Sequence, residues 1–167
     1  MRNIEIKVAL SEKGDVVNRL NALGAKYQYT MKQADYYFDI GENKDKLRII
    51  DGREFQLISY QRKEKHGQKD SYYEIKELTA VEKDALLASR KAIKHVEKTR
   101  ELWLYGNTRI HLDLVEQLGN FLELETVIKD ISLKAGKNEF KTVVNGLGID
   151  ATNSVAASYS DLVPALA

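Results

Sequence analysis

The sequence predicts an α+β protein built on an antiparallel β-barrel of about eight strands, closed on itself, with helices packed outside. Three observations point there. Segments of alternating polarity recur along the chain and mostly follow one another across short turns, in hairpin order. Antiparallel strands in that number either stack or close, and closure removes exposed edges. Finally, strand after strand sets an apolar face against a charged one, so closure with helices outside would turn the charged faces into an interior channel.

The first segment places Ile4, Ile6 and Val8 on one face and Asn3, Glu5 and Lys7 on the other, the period-2 pattern of a strand. Ser11-Glu12-Lys13-Gly14 opens a helix in which Val16, Val17, Leu20 and Leu23 keep helical spacing, with Gly24 as its stop. Strands follow at Gln28 to Met31, Asp35 to Ile40 and Lys46 to Ile50, and Asp51-Gly52 is a hairpin turn into a strand from Glu54 to Arg62. The charged stretch Lys63 to Lys69, with Gly67, reads as a loop, and Ser71 to Leu78 as the next strand. Thr79-Ala80-Val81-Glu82 has capping-box form and starts a helix expected to run to about His95. Strands then fall at Val96 to Tyr105, Thr108 to Val115 and Phe121 to Lys129, with Gly106-Asn107 turning between the first two. A helix from Lys134 to Leu147 stops at Gly148, and a short helical turn covers Ser158 to Val163.

The 167 residues fit a single domain, 1–167, long enough to bury a core. A formal net charge of +1 gives no global pull toward nucleic acid or a membrane surface, so ligand electrostatics must come from local placement. The absence of cysteine excludes a disulfide scaffold, a thiolate metal site and a cysteine nucleophile. Met1 to Glu5 lacks the apolar run of a signal peptide, and no apolar stretch approaches the roughly 20 residues that span a bilayer. A cytoplasmic protein is the expectation.

The polar faces are unusual in content. Glu5 and Lys7 oppose the apolar face of the first strand, Lys98 and Arg100 alternate with Glu97, Thr99 and Glu101, His111 and Asp113 oppose Leu112 and Leu114, and Glu123 and Glu125 oppose Leu122 and Leu124. On any one strand this is the ordinary pattern of a half-solvated sheet. Together, acids cluster toward the two ends of the chain and bases between them. Inside a closed barrel such charges can be satisfied by metal ions and phosphates, or the carboxylates can pair with the lumen bases, because unpaired buried charge is expensive.

Seven segments, in order, carry a family resemblance: Arg2-Asn3-Ile4-Glu5-Ile6-Lys7; Gln33-Ala34-Asp35-Tyr36-Tyr37-Phe38; Leu47-Arg48; Leu57-Ile58-Ser59-Tyr60-Gln61-Arg62; Lys98-Thr99-Arg100; Arg109 to Glu125 with its two acidic alternations; and Leu147-Gly148-Ile149 with Ser158 to Leu162. The sequence resembles the CYTH superfamily, whose members include class IV adenylate cyclases and thiamine and inorganic triphosphatases. The resemblance implies a barrel of the triphosphate-tunnel type, a divalent metal, and a nucleotide or other triphosphate as ligand. Three positions depart from the family pattern: Asn3 where a Glu is usual, Ile50 for the second arginine of L-R-x-R, and Gln61 in a lysine position.

Glu5, Glu123 and Glu125 are assigned to Mg²⁺ or Mn²⁺, hard cations that prefer carboxylate oxygens. Lys7, Arg48, Lys98 and Arg100 are assigned to phosphate oxygens, the arginines able to bind in bidentate fashion. Arg62 and Lys69 are candidates to replace the bases missing at Ile50 and Gln61. Lys7 and Asp113 are the catalytic candidates, Asp113 as a metal ligand or base; a lone strand histidine such as His111 is more often structural. Phosphoryl transfer of this kind works by positioning and charge stabilisation, and one lumen supports either a cyclase or a hydrolase. Three functions follow: a cyclase-type enzyme releasing pyrophosphate, a hydrolase of organic or inorganic triphosphates, and a noncatalytic phosphate-ligand module. The partner is a small-molecule triphosphate or nucleotide, with no nucleic acid and no membrane; a homodimer is compatible with the sequence.

Overall fold

Eight antiparallel strands close into a barrel in the order β1-β5-β4-β3-β2-β6-β7-β8. In chain order they are β1 (Arg2–Ala9), β2 (Lys26–Tyr37), β3 (Asn43–Ile50), β4 (Glu54–Lys65), β5 (Gln68–Leu78), β6 (Lys94–Tyr105), β7 (Thr108–Val115) and β8 (Gly119–Ile128). The helices are α1 (Lys13–Leu23), α2 (Ala80–Ser89), α3 (Leu133–Gly146) and the short α4 (Tyr159–Leu162). The computed structural model describes residues 2–38, 43–65 and 68–166, and side chains there except at 43, 62–65 and 68–71.

Local chemistry explains the boundaries. At the β3–β4 hairpin, connected by residues 51–53, Asp51 and Gly52 both take positive φ, 51° and 70°, and the Arg53 N–H donates to Ile50 O at 3.0 Å. Asp51 Oδ1 also accepts the Lys32 backbone N–H at 2.8 Å, tying the turn to β2. Gly24 ends α1 at φ 91°, and its N–H donates to carbonyls of the last turn. Thr79 Oγ1 accepts the Glu82 N–H at 3.1 Å while Glu82 Oε1 accepts the Thr79 N–H at 3.2 Å, a complete capping box on α2.

Three expectations need correction. The segments 28–31 and 35–40 belong to one strand, β2, with an irregularity in pairing between Tyr27 and Tyr29; residues 39 and 40 lie outside the described residues. The loop expected at 63–69 is mostly ladder, since β4 pairs with β5 as far as Lys65↔Gln68. Helix α2 ends at Ser89, and His95 instead pairs with Tyr36 in the β2–β6 ladder. Arg90 is already extended at the C-cap, and Lys94 and His95 pair with Tyr37 and Tyr36.

The hydrophobic core lies outside the barrel. Ile4, Ile6 and Val8 of β1, Ile110 and Leu112 of β7, and Leu122 and Leu124 of β8 pack against Val16 and Leu20 of α1 and Phe140 and Val143 of α3. Leu114, on the same face of β7, is 55% exposed beyond this cover. A second cluster joins Tyr37, Val96, Val115 and Phe121 at one end of the barrel to Tyr159 and Val163 of the C-terminal segment. Backbone bonds hold that segment in place: Val155 N–H donates to Lys7 O at 2.7 Å and Leu166 N–H to Ile93 O at 2.9 Å.

Among the described residues no helix is long and apolar enough to cross a membrane.

Candidate active site

With the apolar faces turned outward, strand parity sends the alternate residues into the lumen. There they line a cavity of about 240 Å³. Glu5 and Lys7 reach it from β1, Arg48 and Lys46 from β3, Lys98 and Arg100 from β6, and Arg109 and His111 from β7. Glu123 and Glu125 reach it from β8. Glu5, Glu123 and Glu125 share one arc with Lys7, Arg109 and His111, and the remaining bases come from β3 and β6. In the closed order β1, β8 and β7 are consecutive, and β3 stands across the barrel from them.

The basic arc is organised by two buried aspartates. Asp35 Oδ1 and Oδ2 accept from Arg48 Nε and Nη2, both at 2.8 Å, and Oδ2 also accepts from Lys98 at 3.0 Å and Lys46 at 3.2 Å. Burial works to raise the Asp35 pKa, but Arg48, Lys46 and Lys98 outweigh it and hold the carboxyl well below the usual range. Asp113 is gripped by Arg100 in the same bidentate way, Nε at 2.8 Å and Nη2 at 2.7 Å, and Tyr159 OH donates to its Oδ2 at 2.8 Å. Burial again opposes ionisation, and Arg100 and Lys98 bring the pKa down to about 2. Lys98 feels the converse: burial lowers it to about 8, against the pull of Asp35.

On the acidic arc the β1–β8 register sets Glu5 opposite Glu125 and Lys7 opposite Glu123. Lys7 Nζ is 3.7 Å from Glu123 Oε2 and 3.8 Å from the Tyr159 ring centre. Glu125 Oε2 meets Asn3 Nδ2 at 3.4 Å and Arg109 Nη2 at 3.5 Å. The two carboxyls influence each other. Burial and the neighbouring Glu123 raise the Glu125 pKa, whereas His111 and Lys7, against burial, hold Glu123 low.

The donor chemistry suits a divalent cation. One atom each of His111, Glu123 and Glu125 lie within 4.8 Å of one another. His111 Nδ1 is buried and makes no hydrogen bond, a costly state that a cation would relieve.

The sequence assignments fall as follows. Glu5, Lys7, Arg48, Lys98, Arg100, Glu123 and Glu125 all line the cavity. Asp113 lies behind its wall with both oxygens engaged by Arg100 and Tyr159. Arg62 pairs in register with Ser71, and Lys69 with Glu5 and Glu64; their side chains lie outside the described residues. Ile50 does stand in the lumen, but Gln61 is exposed, because Gln56, Ile58 and Tyr60 hold the inward parity of β4. The departure at 61 therefore removes no charge from the cavity. Sequence reasoning passed over Lys46, Arg109 and Tyr159; the first two share parity with Arg48 and His111 and could have been found that way.

Comparison with known proteins was made on the whole chain. The CYTH domain profile matches residues 1–159. A putative adenylate cyclase of Methanocaldococcus jannaschii is 32% identical, covering 97% of this chain and 98% of the relative. The PH1012 protein of Pyrococcus horikoshii shares the fold with a TM-score of 0.83 at 23% identity, over 96% of this chain and 99% of that one. A putative adenylyl cyclase of Hippeastrum, described by a dominant triphosphatase activity, superposes with a TM-score of 0.62 at 14% identity, over 93% and 92% of the two chains.

Proposed function

The chain belongs to the CYTH domain family, and on that premise we propose that it is a divalent-metal-dependent enzyme acting on a nucleotide or organic triphosphate in the barrel lumen, with class IV adenylate cyclase-like chemistry. The observation that carries this reading is a cavity lined by the carboxylates of Glu5, Glu123 and Glu125 on one side and by Lys46, Arg48, Lys98 and Arg100 on the other. A polyanion suits the cations and a divalent cation the carboxylates, in addition to the ion pairs that Asp35, Asp113 and Lys7 already make.

In this reading the ribose 3′-hydroxyl attacks the α-phosphate of the same nucleotide. The new O3′–P bond forms as the bond to the pyrophosphate oxygen breaks, and the hydroxyl proton passes to solvent water. Arg48, Arg100, Lys46 and Lys98 hold the phosphate chain and neutralise the charge that builds on the departing pyrophosphate. Their geometry is set in advance by Asp35 and Asp113, which makes those aspartates positioning residues. Lys7, between Glu123 and the Tyr159 ring, steadies the reacting phosphate from the acidic side. Glu5, Glu123 and Glu125 hold the metal, which supplies Lewis-acid polarisation of phosphate oxygens when bound. A cytoplasmic location suits a nucleoside triphosphate substrate.

Triphosphate hydrolysis is the second reading, favoured by the triphosphatase activity described for the Hippeastrum protein of the same fold. One screen separates them: nucleoside triphosphates, tripolyphosphate and thiamine triphosphate, each with Mg²⁺ and Mn²⁺, followed by release of pyrophosphate or orthophosphate. Pyrophosphate with a cyclic nucleotide supports the cyclase, and orthophosphate the hydrolase. Saturable binding with no product from any triphosphate would refute an enzyme and leave a binding module.

A further inference from the structure

We propose that His111 is a direct nitrogen donor to the divalent cation, so that the cation sits among His111 Nδ1, Glu123 Oε1 and Glu125 Oε1 and Mn²⁺ is preferred over Mg²⁺. The inference rests on the metal-dependent reading above and adds a donor that the all-carboxylate set of Glu5, Glu123 and Glu125 leaves out.

The β7–β8 register places His111 directly opposite Glu123, and Glu125 follows two residues along the same inward face. The His111 side chain is 6% exposed, and its Nδ1 lies 3.4 Å from Glu123 Oε1 and 3.7 Å from Glu125 Oε1. Donors around an octahedral ion at roughly 2.1 Å stand roughly 3 Å apart when adjacent and 4 Å when opposed. The observed separations fall in that interval.

The second oxygen of each carboxylate is committed elsewhere. Glu123 Oε2 faces Lys7 at 3.7 Å, and Glu125 Oε2 faces Arg109 at 3.5 Å and Asn3 Nδ2 at 3.4 Å. The two Oε1 atoms are thereby turned toward the imidazole, with an outer set of residues fixing their direction as ligand-orienting groups do in metal sites. Asn3 acquires a role in this arrangement: the residue that departs from the family's Glu donates to Glu125 where a carboxylate would repel it.

A purely structural histidine would spend an Nδ1 proton on one of the carboxylates. His111 Nδ1 instead stands between the two, 3.4 Å from Glu123 Oε1 and 3.7 Å from Glu125 Oε1, outside good hydrogen-bond geometry to either. Glu5 lines the same cavity but is not part of the group within 4.8 Å. A mixed set of one imidazole and two carboxylates is less suited to Mg²⁺, which favours oxygen and keeps its waters, than to Mn²⁺, which takes both donor types more readily.

Pulsed electron paramagnetic resonance of the full chain loaded with Mn²⁺ reads the nitrogen directly. The wild-type protein should show an imidazole nitrogen coupling that changes on ¹⁵N-histidine labelling, a measurement needing no variant. His111→Gln should lose the coupling and weaken Mn²⁺ binding by calorimetry at least about tenfold, the lower end of the range for disrupting even an outer-shell partner. His95→Gln, altered at a histidine outside the lumen lining, should retain both. Tight Mn²⁺ binding without nitrogen coupling, or an unchanged Mn²⁺ affinity in folded His111→Gln, overturns the role of His111 and leaves the metal-dependent reading standing. Failure to bind either Mn²⁺ or Mg²⁺ overturns both.

Discussion

Asp35 has no solvent exposure, and three cationic side chains converge on it. Asp35→Asn keeps the volume and removes the charge, leaving Arg48, Lys46 and Lys98 facing one another in a closed lumen. Breaking a buried ion pair costs about 3–5 kcal/mol, because the remaining charge keeps its desolvation penalty. For a chain of this size that is a fall in Tm of about 6–20 °C, at roughly 2–4 °C per kcal/mol. Urea unfolding followed by the fluorescence of Trp103, the single tryptophan, measures the loss. Inorganic tripolyphosphate should then restore more stability to the variant than to the wild-type protein, since its oxygens can replace the missing carboxylate. At about 100 times its Kd a ligand adds about 2.7 kcal/mol, so the two titrations can be compared on one scale. A loss below about 1 kcal/mol, the value of a solvated pair, would show that lumen water rather than Asp35 satisfies these cations. Equal recovery in both proteins would show that Asp35 and the phosphates do not share them.

Other consequences can be measured in the same way. Burial lowers the Lys98 pKa to about 8, so affinity for tripolyphosphate should fall as pH rises through that value, and Lys98→Met should remove this step; identical profiles in the two proteins would refute it. For stability the sign is opposite: between about 8 and the unfolded value of 10.5 the unfolded chain binds more protons, so the Lys98 contribution becomes less unfavourable as pH rises. Tyr159→Phe removes a buried hydrogen bond to Asp113 and should cost about 1.5–3 kcal/mol in urea unfolding; a loss under about 0.5 kcal/mol would contradict the charge-assisted bond. Glu123→Gln and Glu125→Gln should each lower divalent-metal affinity by calorimetry with the fold intact, and unchanged affinity in both would remove the metal assignment.

Where one face of a strand is apolar, the sequence showed which residues turn inward. Ile4, Ile6 and Val8 announce an outer face, so Glu5 and Lys7 follow into the lumen. Lys98 and Arg100 were harder, because Glu97 and Glu101 make the opposite face polar too; the match to a K-x-R segment chose the register, and both line the cavity. Strand β2 was divided because Lys32 faces outward while Gln33 faces a polar lumen, leaving no alternation to read. Gln61 was aligned by motif, because Leu57 and Ile58 are both apolar and leave β4 without a readable parity; only the structure turns Ile58 and Tyr60 inward. The partners of Arg100 and Arg48 were illegible, since Asp113 and Asp35 lie on neighbouring strands and only the register brings them together.

Strand β1 pairs with β5 on one side and β8 on the other, so its partners lie roughly 65 and 120 residues away along the chain. Contacts of such long range are slow to form because much chain entropy must be lost before they contribute. The acidic arc depends on this late event, since Glu5 and Lys7 meet Glu123 and Glu125 only when the ring closes. An intermediate with β5, β4, β3, β2 and β6 already paired would bear Lys46, Arg48, Lys98 and Arg100 without the carboxylates of β1 and β8. Refolding with a polyanion present should therefore engage such a species before Glu5 and Lys7 reach the carboxylates of β8.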